Sequence, residues 1–266
     1  MIVVIVGPTG IGKTTLSIAL AKHLNTEIIS GDSIQVYRGL TIGSAKVRTK
    51  DMHGIPHHLI DIFDPTEDFS VALYQKIVRE KIREFEERHM TPIIVGGTGL
   101  YIKSVLYDYN FSQTKRDTAL EESYAHLSHE ELHQILQEKD PLASEQIHMN
   151  NRKRVFQAIS RSSTNKVSEN TNKDKPLYDF LVIGLRMERT QLYEMINHRV
   201  DQMIEDGLVD EVKHLYDQGI RTNSIQAIGY KELYRYFDGD CSIEEAIDKI
   251  KQHSRNLAKK QYTFFT

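Results

Sequence analysis

Gly7-Pro8-Thr9-Gly10-Ile11-Gly12-Lys13-Thr14 is the stretch on which the fold turns. It follows Ile2-Val3-Val4-Ile5-Val6, a β-branched, wholly apolar run of the kind that forms a parallel strand buried on both faces. It is followed by Leu16, Ala19, Leu20 and Leu24 at helical spacing. G-x-x-x-x-G-K-[ST] between a strand and a helix is a phosphate cradle. The glycines let the chain curl so that successive N–H groups point inward, and the helix N-terminus adds partial positive charge. Gly7 to Thr14 is therefore the expected diphosphate or nucleotide site, with Lys13 as a mobile charge for the outer phosphates and the Thr14 hydroxyl as the Mg²⁺ ligand. The motif alone leaves open whether the phosphates belong to a nucleotide or to pyrophosphate.

Outward from the cradle, 266 residues suffice for one large domain or a domain with an insertion. Apolar residues make up 39% and charged residues 27%, the balance of an ordinary globular chain. No run reaches membrane-span length and no basic region precedes residues 2–6, so neither a membrane segment nor a signal peptide is expected, and the expected location is cytoplasmic. Cys241 is the only cysteine, which excludes an internal disulfide or a zinc finger. With a net charge of −3, any nucleic-acid contact must come from local basic patches.

A second strand, Glu27 to Ser30, runs into Gly31-Asp32-Ser33-Ile34-Gln35. Ligands of open parallel sheets bind beyond the carboxyl ends of strands, which puts Asp32 beside the cradle; it serves either the chemistry or a turn as a cap. His57-His58 lacks a third metal ligand at a recognisable spacing. His58-Leu59-Ile60-Asp61 reads as a short strand ending in a weak Walker-B-like aspartate. A helix is expected over Phe69–His89, capped by Ser70, with Leu73, Ile77, Ile82 and Phe85 as its apolar stripe. Pro92-Ile93-Ile94-Val95 is a further strand, entering the glycine-rich turn Gly96-Gly97-Thr98-Gly99.

From about residue 110 the composition changes: no glycine occurs between Gly99 and Gly184, and the segment is polar with helical periodicity. The expected organisation is a parallel-sheet core over 1–109, a helical insertion over 110–177, and the core's second part over 178–266. Within the insertion, Arg152-Lys153-Arg154 starts a helix, and Ser162 to Lys175 reads as a mobile loop. Asp179 to Leu185 has the character of a buried strand. The next helix turns Leu192, Ile196, Val200 and Met203 inward and stops at Gly207; Arg199 beside them either snorkels or points into the site. The last helix carries Lys249, Lys251, His253, Arg255, Lys259 and Lys260, a density that fits a polyanion partner or a solvated face.

Taken together, GPTGIGKT at 7–14, GDSIQVYRGL at 31–40, GIPHHLIDIFDP at 54–65, GGTGLY at 96–101, HRVDQMIEDGLVDEV at 198–212, AIGYKEL at 227–233 and RNLAKKQYTFF at 255–265 resemble the bacterial tRNA dimethylallyltransferases. The resemblance spans nearly the whole chain. It implies an α/β fold with a P-loop NTPase-like parallel-sheet core and a helical insertion domain. It also implies transfer of a dimethylallyl group from dimethylallyl pyrophosphate to N6 of the adenosine 3′ of the anticodon, with Mg²⁺ and a tRNA anticodon stem-loop as partners. A monomer with no membrane partner is expected.

By the same resemblance Asp32 is the base, Thr98 a hydrogen-bond donor near the transferred group, and Lys13 with Arg199 the charges facing the leaving group. The tRNA contacts implied are Asp32, Ser33, Ile34, Gln35, Thr98, Arg116, Lys153, Arg154, Gln157, Gln226, Gly229, Tyr230, Lys231, Arg255 and Lys259, with the Gln35 amide suited to an adenine edge. This sequence departs from the family's pattern at Gln157, Lys231 and Lys260, where arginine is usual, and at Phe264, where tryptophan is usual. The pattern also continues past Phe265, so further chain is expected there. Three other readings share the cradle: a small-molecule kinase or NTPase, a non-enzymatic RNA-binding protein, and a transferase acting on free AMP.

Overall fold

The computed structural model describes residues 1–109, 111, 122–162 and 174–265. Two compact units divide the chain, Met1–Leu106 with Tyr178–Thr266, and Tyr107–Leu177 between them. Arg116 and most of the expected loop Ser162–Lys175 lie outside the described residues.

The larger unit is built on a five-stranded parallel sheet ordered β3-β2-β4-β1-β5. Its strands are β1 (Ile2–Val6), β2 (Ile28–Ser30), β3 (His57–His58), β4 (Ile93–Gly96) and β5 (Phe180–Gly184). β1 and β4 are central, so their apolar runs are buried as a doubly covered strand requires. Val3, Ile5, Ile28 and Ile93 pack with Ile18 and Ala21 of helix α1 (Lys13–Leu24) into one core cluster.

β5 corrects the sequence reading. It lies at the sheet's edge, and Leu181 and Val182 keep 50% and 47% of their surface exposed. Composition alone cannot tell a central strand from an edge one. Asp61 is a second correction: β3 ends at His58, and Asp61 sits at φ +55° in a turn, paired with the buried Lys46 ammonium at 2.5 Å. It is not a strand-end carboxylate facing phosphates, and the one Walker-B candidate is lost with it.

Helix α2 (Val71–Glu87) is capped by the Ser70 hydroxyl, which accepts from Leu73 N–H. Its buried stripe is Tyr74, Val78, Ile82 and Phe85, one position on from the expected Leu73 and Ile77 in the first turns. After α3 (Gly99–Leu106), the smaller unit carries α4 (His129–Lys139), α5 (Pro141–Gln146) and α6 (Arg152–Arg161). Each starts where its cap residue stands: Ser128 in a reciprocal capping box with Glu131, Asp140 before Pro141, and Asn151. Leu132, Leu136, Val155, Phe156 and Ile159 form that unit's own core.

The larger unit then continues with α7 (Arg189–Glu205), α8 (Leu208–Asp217), α9 (Tyr230–Phe237) and the 23-residue α10 (Ile243–Phe265). Gly207, at φ +98°, makes the break between α7 and α8 that a side chain would strain. Among the described residues no helix is long and apolar enough to cross a membrane.

Candidate active site

At the carboxyl end of β1 the chain turns through Gly7, Gly10 and Gly12 at φ +148°, +85° and +93°, conformations that admit glycine and strain other residues. Gly12 caps α1 and Lys13 is its first residue. The Lys13 ammonium is drawn back over the turn, donating to the carbonyls of Gly7 at 2.8 Å and Pro8 at 2.7 Å. Burial pushes its pKa down to about 8; the Asp32 carboxylate opposes that fall, and the Arg199 guanidinium adds to it. Arg199 comes from α7, and its Nη1 lies 3.9 Å from where a Cβ on Gly10 would stand. Its own pKa is lowered by burial and held up by Asp32. Of the two orientations open in the sequence, the guanidinium takes the one toward the cradle.

These groups share a cleft of about 630 Å³ in the larger unit. Thr9, Gly10, Gly12, Lys13 and the exposed Thr14 form one side. Asp32, Ser33, Ile34 and Gln35, beyond β2, form another, next to Gly43, Ser44 and Ala45. Gln226 and Gly229 also line it, while Ile196, Val200 and Met203 of α7 and Leu257 of α10 give it an apolar wall.

Asp32 proves to be both cap and cleft residue. Its Oδ1 accepts from the N–H groups of Ile34 at 2.8 Å and Gln35 at 3.3 Å, which fixes the carboxylate's orientation at the cleft. Gln35 does not present a free amide edge. Its Nε2 donates to the carbonyls of Ser44 at 3.2 Å and Ala45 at 3.5 Å, and its Oε1 is 3.3 Å from the Ser30 hydroxyl that donates to it. The expected two-point contact with adenine is therefore not available to this conformer, because the amide is spent holding residues 44–45.

Several expected contacts stand elsewhere. Tyr230 is fully buried, and its hydroxyl donates to Glu211 at 2.7 Å, so its ring is core and faces no ligand. Thr98 is not among the cleft-lining residues; its carbonyl accepts from Tyr101 and Ile102 at the start of α3. The basic face of α10 is largely committed inside the unit. Lys251 pairs with Asp201 at 2.6 Å, His253 with Glu232 at 2.5 Å, and Arg255 donates to Asn197 at 2.5 Å. Lys259 and Lys260 are exposed, and Lys231 lies 3.7 Å from the Glu232 carboxylate. Gly7, Pro8 and Ile11 shape the turn without lining the cleft. In the smaller unit Lys153, Arg154 and Gln157 are exposed on α6, whereas Arg152 turns inward and donates to the carbonyls of Leu127, Tyr124 and Ala125.

Among the cleft residues the sequence reading did not single out, one joins both glycine-rich turns. Gln261 of α10, 9% exposed, donates to the carbonyl of Gly97 at 3.1 Å and accepts from Thr9 N–H at 3.3 Å.

For a cation, no cluster of three His, Cys, Asp or Glu side chains exists among the described residues. His57 Nδ1 meets the Ile55 carbonyl at 2.8 Å and His58 Nε2 the Glu27 carboxylate at 2.6 Å. The Thr14 hydroxyl and the Asp32 carboxylate in one cleft are a sparse oxygen donor set. Such a set suits Mg²⁺, which keeps most of its ligands as water and phosphate oxygen.

Residues 35–266 match the family described as IPP transferase. A tRNA dimethylallyltransferase of Bacillus pumilus is 52% identical over 99% of this chain and 86% of its own length, and that of Bacillus subtilis is 51% identical over 99% and 87%. Among solved structures, the full-length tRNA isopentenylpyrophosphate transferase of Bacillus halodurans is 49% identical, with a TM-score of 0.75 over 99% of this chain and 86% of that one. A eukaryotic dimethylallyltransferase acting on tRNA, 28% identical, superposes with a TM-score of 0.88 over 100% of this chain and 69% of that one. With a strand-to-helix phosphate cradle and a carboxylate facing it across one cleft, and with about half of its residues shared with the Bacillus enzymes over almost its full length, the chain belongs to the IPP transferase family, the tRNA dimethylallyltransferases.

Proposed function

We propose that the chain takes dimethylallyl pyrophosphate as donor and transfers its five-carbon group to N6 of the adenosine 3′ of the anticodon. The observation that carries this reading is one cleft lined by a carboxylate, Asp32, and by two cations, Lys13 and Arg199. A diphosphate needs the cations and an exocyclic amine needs the carboxylate.

In the transfer, the bond between C1 of the donor and the pyrophosphate oxygen breaks, and its electron pair leaves with pyrophosphate. The N6 lone pair forms the new C–N bond to C1, and the N6 proton passes to the Asp32 carboxylate. Lys13, Arg199 and the inward N–H groups of residues 10–14 stabilise the charge gathering on the leaving oxygens, a task in which one preorganised donor contributes roughly 3–4 kcal/mol. Asp32 supplies a general-base contribution of roughly 10²–10⁴. The apolar wall of Ile196, Val200, Met203 and Leu257 excludes water from the allylic carbon, whose capture would waste the donor. Mg²⁺ held by Thr14 would neutralise part of the diphosphate charge.

The adenosine must leave its stack to enter, which an anticodon loop permits at modest cost. Ser33, Ile34, Gln226 and Gly229 line the cleft it enters; Lys153, Arg154, Gln157, Lys259 and the exposed part of Lys231 are left for the RNA backbone. Thr98, next to the cleft-lining Gly97, supplies a hydroxyl near the transferred group. The test offers unmodified tRNA with either dimethylallyl pyrophosphate or ATP. Release of pyrophosphate with mass gain on tRNA is expected from the first, and turnover of ATP alone would overturn the reading.

A further inference from the structure

The Glu211 carboxylate gathers three consecutive backbone N–H groups from the other end of the chain. Thr41 and Ile42 donate to Oε2 at 3.0 and 2.8 Å, and Gly43 donates to Oε1 at 3.2 Å. The buried Tyr230 hydroxyl donates to the same Oε1 at 2.7 Å. Tyr230 also packs directly on the loop: a Cβ on Gly43 would stand 2.6 Å from its ring. The loop so held is the cleft wall. Ser44 and Ala45 take Gln35 Nε2 on their carbonyls, and the Gln35 N–H in turn donates to Asp32 Oδ1.

A continuous path of hydrogen bonds thus runs from α8 through residues 41–45 and Gln35 to Asp32. Charge-assisted bonds to backbone N–H are among the stronger neutral-pH contacts a carboxylate makes, and a strand of loop with three of them has little freedom left. The geometry points to Glu211 and Tyr230 as positioning residues for the acceptor side of the site. They touch neither substrate, and they set where the base stands relative to the entering amine. This rests on the proposed function, because it takes Asp32 to be that base. It also reassigns Tyr230, for which the family resemblance implied a tRNA contact.

The test compares wild type, Glu211→Gln and Tyr230→Phe in single-turnover transfer with saturating tRNA and dimethylallyl pyrophosphate, alongside pyrophosphate affinity by calorimetry and hydrogen exchange of the 41–43 amides. Glu211→Gln keeps the shape but puts a donor where an acceptor is needed, and Tyr230→Phe keeps the ring that packs on Gly43. Expected are faster exchange at 41–43 and transfer rate constants lowered by about tenfold to a hundredfold for Glu211→Gln and about threefold to tenfold for Tyr230→Phe, the range for losing charged and shared hydrogen bonds. Pyrophosphate affinity should stay within about twofold, since the cradle makes none of these bonds. A merely structural role would lower the amplitude of the transfer phase, through lost folded protein, and leave its rate constant alone; that result in both variants would overturn the inference. Should Glu211→Gln not fold, an unchanged rate constant in Tyr230→Phe with unchanged exchange overturns it by itself. Wild type is the control that separates the two ideas: wild-type protein that transfers nothing refutes the functional reading, and an active wild type with unaltered variants refutes the brace alone.

Discussion

The two sides of the cleft are built on opposite plans. The donor side is eight consecutive residues whose geometry follows from local chemistry: glycines at positive φ, a helix N-terminus, a lysine at its first turn. The acceptor side is assembled from residues 32–35, 43–45 and 226–229, held by Glu211 on α8 and by Glu232 on α9, whose carboxylate accepts the Gly229 N–H at 2.8 Å. One side is a motif and the other is a set of braces. A cradle that needs only its own backbone can serve many reactions, whereas the braced wall can be adjusted to one acceptor.

If that division is right, the two sides should fail separately. The largest effect belongs to Asp32→Asn, which keeps an acceptor for the Ile34 N–H and removes the base. Transfer should fall by about 10²–10⁴ in single-turnover kinetics while pyrophosphate binding is unchanged or tighter. Substantial residual transfer would show that the proton goes elsewhere.

Lys13→Ala should do the reverse, weakening pyrophosphate by about tenfold to a hundredfold, the scale of a charge-assisted contact, with tRNA affinity retained. Calorimetry with each ligand separately checks both halves.

Gly43→Ala attacks the wall through packing. The new methyl meets a buried ring that cannot retreat, at a cost of about 1–3 kcal/mol in unfolding free energy, and pyrophosphate affinity of the folded fraction should be untouched. Chemical denaturation reads the first, and equal stability would mean that Tyr230 yields.

The mildest effect is on pH. In the free protein burial holds the Lys13 pKa at about 8. Below that pH the ammonium is present and a diphosphate meets it directly. Above it the amine is neutral and must take up a proton on binding, so affinity should decline by up to about tenfold per pH unit as pH rises through 8. Lys13→Arg should flatten that decline, and a wild-type profile already flat from pH 7 to 9.5 would place the phosphates away from Lys13.

What the sequence made legible was whatever depends on neighbours in the chain. The cradle, the Ser70 cap and the break at Gly207 each rest on interactions spanning a few residues, and each stands where its residues predicted. The same locality misled at β5, whose apolar run gave no hint that it borders the sheet, and at Asp61, whose carboxylate is claimed by Lys46. Arg199 lay open between solvent and site, and only the packing of α7 beside Gly10 decided it.

By itself, then, the amino-acid order determined a phosphate-gripping turn and the family to which the chain belongs, because backbone conformation at glycines and helix starts is set within a turn or two of the residues concerned. The tertiary structure alone decided that Gln35 holds a loop, that Tyr230 is core, and that Glu211 and Gln261 brace the cleft. Those assignments rest on hydrogen bonds between groups up to 252 positions apart, and no spacing along the chain encodes which donor such an acceptor will find.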